Sequence, residues 1–227
     1  MTANGQTGKT FRLLLVLLLT VMAVGLGYAV LELHSSAGGL SKQVATNLEA
    51  SGVSNPVTAV LLNFRGYDTL LEMAVLLVAL IGVWSLGGIP DYHESSPGPV
   101  LDTLSRLLVP MLILVAGYLL WVGTHAPGGA FQAGSVLGAA GVLLLLSGWR
   151  LEKIFAGLPL RVILILGLGA FVTVGGGFLL IGNVFMEYPS ALAGELILMV
   201  EAAATLSIGV TLAALFLGGR PEAGGDK

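Results

Sequence analysis

Cysteine is absent from all 227 residues, which excludes disulfide staples, thiolate metal sites and cysteine nucleophiles. Charge is nearly as scarce. Only 10% of the residues are Asp, Glu, Lys or Arg, against about 25% in an ordinary soluble domain, so a water-surfaced globule is excluded as well. Ten basic and thirteen acidic residues leave a net charge of −3, with no basic block to hold a nucleic-acid backbone. The phosphate-binding glycine loop, the His-Glu-x-x-His zinc motif and the Gly-x-Ser-x-Gly elbow are all missing. Three scattered histidines without cysteine speak against haem and iron–sulfur ligation, so neither a cofactor nor a metal site is expected. What the chain has in abundance is apolar surface. Hydrophobic residues make up 56% and the mean hydropathy is +0.94, too much to stay disordered in water. The composition is that of an integral membrane protein.

Charge is not only rare but clustered. No Asp, Glu, Lys or Arg occurs within residues 13–31, 73–90, 107–149, 162–186 or 202–219. A helix needs about 20 apolar residues to cross a hydrocarbon core of about 30 Å. These gaps predict six spans, near 11–33, 67–88, 101–123, 128–149, 159–182 and 191–217. The longest gap is broken only by the turn His125-Ala126-Pro127-Gly128-Gly129, which makes the third and fourth spans an antiparallel hairpin. Period-two alternation is lacking, so a β-barrel does not fit, and the expected fold is an all-α membrane bundle. The first span follows Lys9 and Arg12, but its apolar run exceeds the ~7–15 residues of a signal peptide core. An uncleaved helix is expected there.

Six spans put both termini on one side. Lys9, Arg12, Arg106, Arg150, Lys153, Arg161, Arg220 and Lys227 collect on that side, leaving Lys42 and Arg65 on the other. The positive-inside rule makes both termini cytoplasmic. Residues 34–56, rich in Ser, Asn and Gly, read as a solvated excursion on the far side. The Gly/Pro/Ser-rich stretch 87–100 reads as a linker. The expected organisation is a two-helix segment over 1–90, a linker over 91–100, a four-helix domain over 101–217 and a polar tail over 218–227. Neither part is large enough for a transporter with its own inverted repeat, which points to one component of a larger assembly.

An ionised group at the bilayer centre costs at least ~2.5–3.5 kcal/mol, so each charge inside a span needs a reason. In Asn63-Phe64-Arg65-Gly66-Tyr67-Asp68-Thr69-Leu70-Leu71-Glu72, Asp68 and Glu72 stand at i and i+4, with Arg65 just ahead. The three could share or relay a proton; Asp68 and Arg65 could equally be an interfacial cap and a snorkelling side chain. Glu72 lies a turn deeper, is expected to be buried, and is the acid hardest to explain by capping. In Gly123-Thr124-His125-Ala126-Pro127-Gly128-Gly129-Ala130-Phe131-Gln132-Ala133-Gly134, Pro and paired Gly make a tight reversal near the membrane surface. His125 could pass protons or simply be interfacial. Gly134 and Gly138, continued at Gly141, read as a helix-packing stripe, as do Gly167, Gly169 and Gly175-Gly176-Gly177 in the fifth span. Glu195 and Glu201 lie six residues apart and point about 120° from one another. Glu201 has no basic residue near it in sequence, so it needs a proton or a partner from another helix or subunit.

The stretch Phe64–Glu72 resembles the Phe-Arg-Gly-Phe-Asp-Thr-Leu-Gly-Glu signature near the C-terminus of the large A component of Mrp-type multisubunit cation/proton antiporters. The same signature occurs in a small membrane component of energy-converting hydrogenases related to respiratory complex I. Gly123–Gly134 resembles the Gly-His-Asn-x-Pro-Gly-Gly-Gly-Phe-x-Gly-Gly signature of the Mrp B component, which has four helices. Leu71, Tyr67 and Ala130 replace Gly, Phe and Gly, and His125 is shifted by one place. The resemblance covers roughly residues 57–217, so the chain is similar to the tail of the Mrp A component joined to the Mrp B component.

That resemblance implies a multi-pass subunit in the cell's inner (cytoplasmic) membrane, in a complex with other membrane subunits, exchanging H+ for Na+ or another monovalent cation. It implicates Glu72 in ion transport and places Pro127 and Phe131, with Gly128 and Gly129, in a functionally sensitive hairpin. Three alternatives stand beside it: an ion-translocating member of a redox-driven complex, a scaffold whose acids only make contacts between subunits, and a stand-alone small transporter.

Overall fold

A computed structural model of the chain describes residues 3–32, 39–86, 98–149, 157–181, 184–189 and 192–218. The linker core at 91–97, the tail from 219 onward, Arg150 and Lys153 lie outside the described residues. Among the described residues there are helices and turns and no strand. The helices are α1 (Ala3–Glu32), α2 (Ser41–Asn47), α3 (Pro56–Ala59), α4 (Gly66–Ser85), α5 (Pro99–Val122), α6 (Ala130–Leu146), α7 (Leu158–Leu180) and α8 (Ala193–Leu217).

Five helical stretches are long and apolar enough to cross a membrane: Phe11–Glu32, Gly66–Ser85, Pro99–Val122, Leu158–Leu180 and Ala193–Leu217. The fourth expected span, 128–149, is realised as α6, which has 17 residues and therefore rises only about 25 Å. It starts two residues late because the turn glycines hold the chain out of helical geometry.

The chain divides into two compact units, one over Met1–Lys42 and one from Gln43 onward. In the first, the apolar stretch of α1 has no buried residue. In the second, α8 is the axis: it packs against α4, α5, α6 and α7, and half of its apolar stretch is buried. Small residues allow this. A Cβ on Gly134 would lie 2.8 Å from Ile208 Cβ, and one on Gly138 3.0 Å from Leu212 Cβ. On the far flank a Cβ on Gly167 would lie 2.9 Å from Ala204 Cα. Lipid tails are as apolar as leucine, so close packing and interhelical hydrogen bonds hold such bundles. The Ser207 hydroxyl supplies one of the bonds, donating to the Leu164 carbonyl at 2.6 Å. Within this unit α4 packs against α7 and α8.

The stretch 34–56 is not a solvated excursion throughout. Residues 33–38 lie outside the described residues, but Ser51, Val53 and Asn55 are buried. Asn55 caps α3 by accepting from the Val57 amide at 3.1 Å, with Pro56 at the first helical position, where a missing N–H costs nothing. A single π-turn, Val60–Phe64, follows before α4. Its freed Leu61 carbonyl accepts from the Thr69 hydroxyl at 2.6 Å.

Candidate ion-path site

The reversal between α5 and α6 closes on itself. The amides of His125 and Ala126 donate to the Val122 carbonyl at 2.9 and 2.8 Å, and Gly129 donates to Leu119 at 2.9 Å. Glycine is required for this. A Cβ on Gly123 would meet Gly129 Cα at 2.6 Å, and one on Gly128 the Leu119 carbonyl oxygen at 2.5 Å. Gly129 has a φ of +102°, a region L side chains rarely adopt.

The first amides of a helix have no partner within it and carry the positive end of its dipole. At α6 that role is met from another helix. Ala130 donates its amide to Glu201 Oε1 on α8 at 3.3 Å. Glu201 is 3% exposed, and its Oε2 is buried with no hydrogen-bond partner among the described residues. A Cβ on Gly129 would sit 2.5 Å from Oε1, so only glycine lets the carboxylate reach the turn. Ile197, Val200 and Ala204 are buried around it on α8, and Thr205 donates to the Glu201 carbonyl at 2.8 Å. Beside it lies buried Tyr188, whose phenol is pushed above its ordinary value by burial and then by the charge of Glu201. Tyr188 donates to Met186 Sδ at 3.4 Å and meets Phe178 edge-on at 5.8 Å.

The same turn is held from its other side by the segment ahead of α4. The amides of Ser54 and Asn55 both donate to the Thr124 carbonyl at 3.1 Å. The Asn55 side-chain amide donates to Gly123 at 3.0 Å and to Ala126 at 2.8 Å, and the Thr58 hydroxyl donates to Gly123 at 2.5 Å. The 184–189 connection joins the same end of the bundle: Tyr67 stacks on Phe185 at 4.3 Å, and Met186 packs over Gly66. Buried Met186 has a φ of +63°, a rare state for a non-glycine residue. Asn55, Thr58, Thr124, Met186 and Tyr188 are absent from the sequence-based candidates. Asn55-Pro56 is a helix-start signal that could have marked the first two.

The other acids are placed differently. Glu72 is exposed on α4 rather than buried, contrary to expectation. Membrane helices are apolar on both faces, so the sequence offers no periodicity to say which side a lone acid takes. Asp68 pairs with Arg65 in the first turn of α4, where a negative charge complements the helix dipole. Asp68 is not the N-cap itself: Arg65 holds that position, without a side-chain capping bond. Glu195 is exposed at the start of α8, and Glu187 is exposed in the connection before it. His125 is exposed as well, its Nδ1 lying 2.6 Å from Thr124 Oγ1. Pro127 is exposed and Phe131 half-buried, the latter packed on the core. The structure therefore joins Glu201 to the Gly128-Gly129 hairpin and leaves Glu72 and Glu195 on outward faces. Among the described residues no group of His, Asp and Glu could hold a metal ion.

Residues 100–219, more than half of the chain, match the family described as a domain related to the MnhB subunit of Na+/H+ antiporter. The chain belongs to that family. The MnhB-related segment includes the hairpin and Glu201 but not α4. Among curated relatives, an uncharacterised protein of Methanocaldococcus jannaschii is 30% identical over 42% of this chain and 44% of its own length. The B component of the Bacillus subtilis Na+/H+ antiporter is 32% identical over 39% of this chain and 63% of its own. The A/B component of a probable K+/H+ antiporter of Rhizobium meliloti is 27% identical over 61% of this chain but only 16% of its own length. The chain thus spans less than two thirds of the length of each.

Two solved structures share the fold. A chain of the membrane-bound sulfane sulfur reductase, an archaeal respiratory membrane complex, matches with a TM-score of 0.67 and 25% identity over 91% of this chain and 97% of its own. That coverage extends beyond the MnhB-related segment into the helices before it. A chain of the Mrp complex from Dietzia sp. matches with a TM-score of 0.64 and 23% identity over 96% of this chain and 27% of its own.

Proposed function

We propose that this chain is a non-autonomous membrane subunit of a multisubunit antiporter that exchanges H+ for Na+ or another monovalent cation in the cytoplasmic membrane. The observation that carries the reading is Glu201: a carboxyl enclosed by the bundle, one oxygen on the α6 N-terminus and the other without a partner among the described residues. A buried acid of this kind is costly and is a functional group by default in a membrane protein. Its place against the hairpin, within the segment that matches an antiporter-related family, gives that function a direction. Glu201 is the group through which this chain handles a proton, and the hairpin residues Pro127, Gly128, Gly129 and Phe131 hold its surroundings. Glu72, Asp68, Arg65, Glu195 and His125 belong to polar surfaces at which the path continues into neighbouring subunits. The segment before α5 plays the part of the Mrp A tail, tied to the B-like hairpin through Asn55 and Thr58.

The match over 97% of a chain from a respiratory complex favours one second reading, in which the same module couples ion flow to electron transfer on another subunit. Vesicles from a transporter-free host carrying the whole gene cluster, with and without this chain, separate the two. The antiporter reading predicts cation-dependent proton movement that needs this chain and no electron donor, and no flux from the purified chain alone. Movement only with an electron donor selects the redox reading. Flux from the chain by itself overturns both.

A further inference from the structure

We propose that Asn55 is a positioning residue for Glu201: it holds the carbonyl side of the turn between α5 and α6 so that the amide side meets the carboxylate. The inference rests on the reading of Glu201 as the proton-handling group. The turn joins two helix ends of opposite polarity. The last carbonyls of α5 have no partner within that helix, and neither have the first amides of α6. Glu201 answers the second end through Ala130. Asn55 answers the first. Its two side-chain N–H groups go to different carbonyls, Gly123 at 3.0 Å and Ala126 at 2.8 Å, and its backbone amide goes to Thr124 at 3.1 Å. The Thr58 hydroxyl is a second donor to Gly123 at 2.5 Å. The carbonyls of 123, 124 and 126 are thereby engaged by the 54–58 segment. Peptide dipoles turned the other way would set their negative ends against the carboxylate.

The residue type supports this role. As a cap accepting from the Val57 amide, Asp or Ser would serve α3 as well as Asn does. Neither carries two N–H donors. Asn55 is 5% exposed, and among the described residues it alone donates to the Ala126 carbonyl. Between Ala126 and Ala130 lie only Pro127, Gly128 and Gly129. Paired glycines leave this stretch a backbone freedom that no Cβ limits. The direction of the Ala130 amide therefore depends on what anchors the turn: the bond from Gly129 to the Leu119 carbonyl on one side, and Asn55 on the other.

The test is the infrared C=O band of the protonated Glu201 carboxyl in the assembled complex, assigned by its absence in Glu201→Gln. Cation-dependent proton movement is read in the same vesicles, with complex abundance on a native gel. Asn55→Ser keeps a cap for α3 and removes both side-chain donors; Thr58→Val keeps its shape and removes one. In Asn55→Ser the band should move toward that of a carboxyl without a hydrogen bond, and exchange per assembled complex should fall about tenfold, as small misplacements of a reacting group do. Thr58→Val should move the band the same way by less, and it carries the comparison if the Asn55→Ser complex does not assemble. A tie that only holds the fold together leaves the band unmoved in whatever complex assembles, and that result overturns the proposal. An unmoved band with exchange lost in Glu201→Gln overturns this inference alone. Undiminished exchange in Glu201→Gln overturns the functional reading and this inference with it.

Discussion

Gly129 and Glu201 depend on one another. The glycine sits at a φ that side chains avoid, and its missing Cβ is the space that Glu201 Oε1 occupies. Gly129→Ala should therefore strain the backbone and displace the carboxylate, lowering stability by about 1–3 kcal/mol. Thermal unfolding in detergent reads this as a lowered midpoint, and an unchanged midpoint contradicts the geometry. The partnership was only half legible in the sequence. Glu201 stood out because no basic residue lies near it in sequence and a long uncharged run follows it. Its meeting with Gly129 did not, because it joins positions 72 residues apart on helices with no apolar periodicity to give their facing. The same lack of periodicity made Glu72 look enclosed when it faces outward.

Helix–helix contact in this chain is set by where a Cβ would collide. On α6 the stripe Gly134, Gly138 and Gly141 touches α8, whereas Gly169 and Gly176 on α7 have open space within 4 Å. Gly138→Leu should prise α6 from α8 and lower the unfolding midpoint by several degrees or abolish assembly. Gly169→Leu should leave both unchanged. Equal effects in a size-exclusion and thermal-melt comparison would show that glycine count, rather than placement, governs the bundle. Element positions were readable because a gap in charge of about 20 residues is a strong signal. The shortening of α6 was less so, since Gly128 and Gly129 are apolar by composition yet held out of the helix by the turn. The 51–56 stretch was misjudged because Ser and Asn are polar whether they face water or, as here, donate to backbone carbonyls of a hairpin.

Taken whole, the unit from Gln43 onward brings the 51–66 segment, the 123–129 hairpin and the 184–189 connection to one end. That is what alternating spans require of three odd-numbered connections. The distribution of Lys and Arg predicts that this end lies away from the cytoplasm. Because the chain has no cysteine, single cysteines report cleanly. His125→Cys and Glu187→Cys should react with an impermeant maleimide from outside intact cells, and Arg161→Cys only in inverted vesicles. The opposite pattern would reverse the orientation, and mixed reactivity at 125 and 187 would break the fold.

The most direct test of the ion-path reading is cation-dependent proton movement in vesicles carrying the complete gene cluster, wild type against Glu201→Gln, with complex abundance followed on a native gel. Glutamine keeps an oxygen to accept from Ala130 and nearly the same volume, but it cannot exchange a proton. The account predicts a normally assembled complex whose exchange falls at least tenfold. Normal assembly with undiminished exchange would mean that Glu201 is only a helix cap, and the central claim would be wrong.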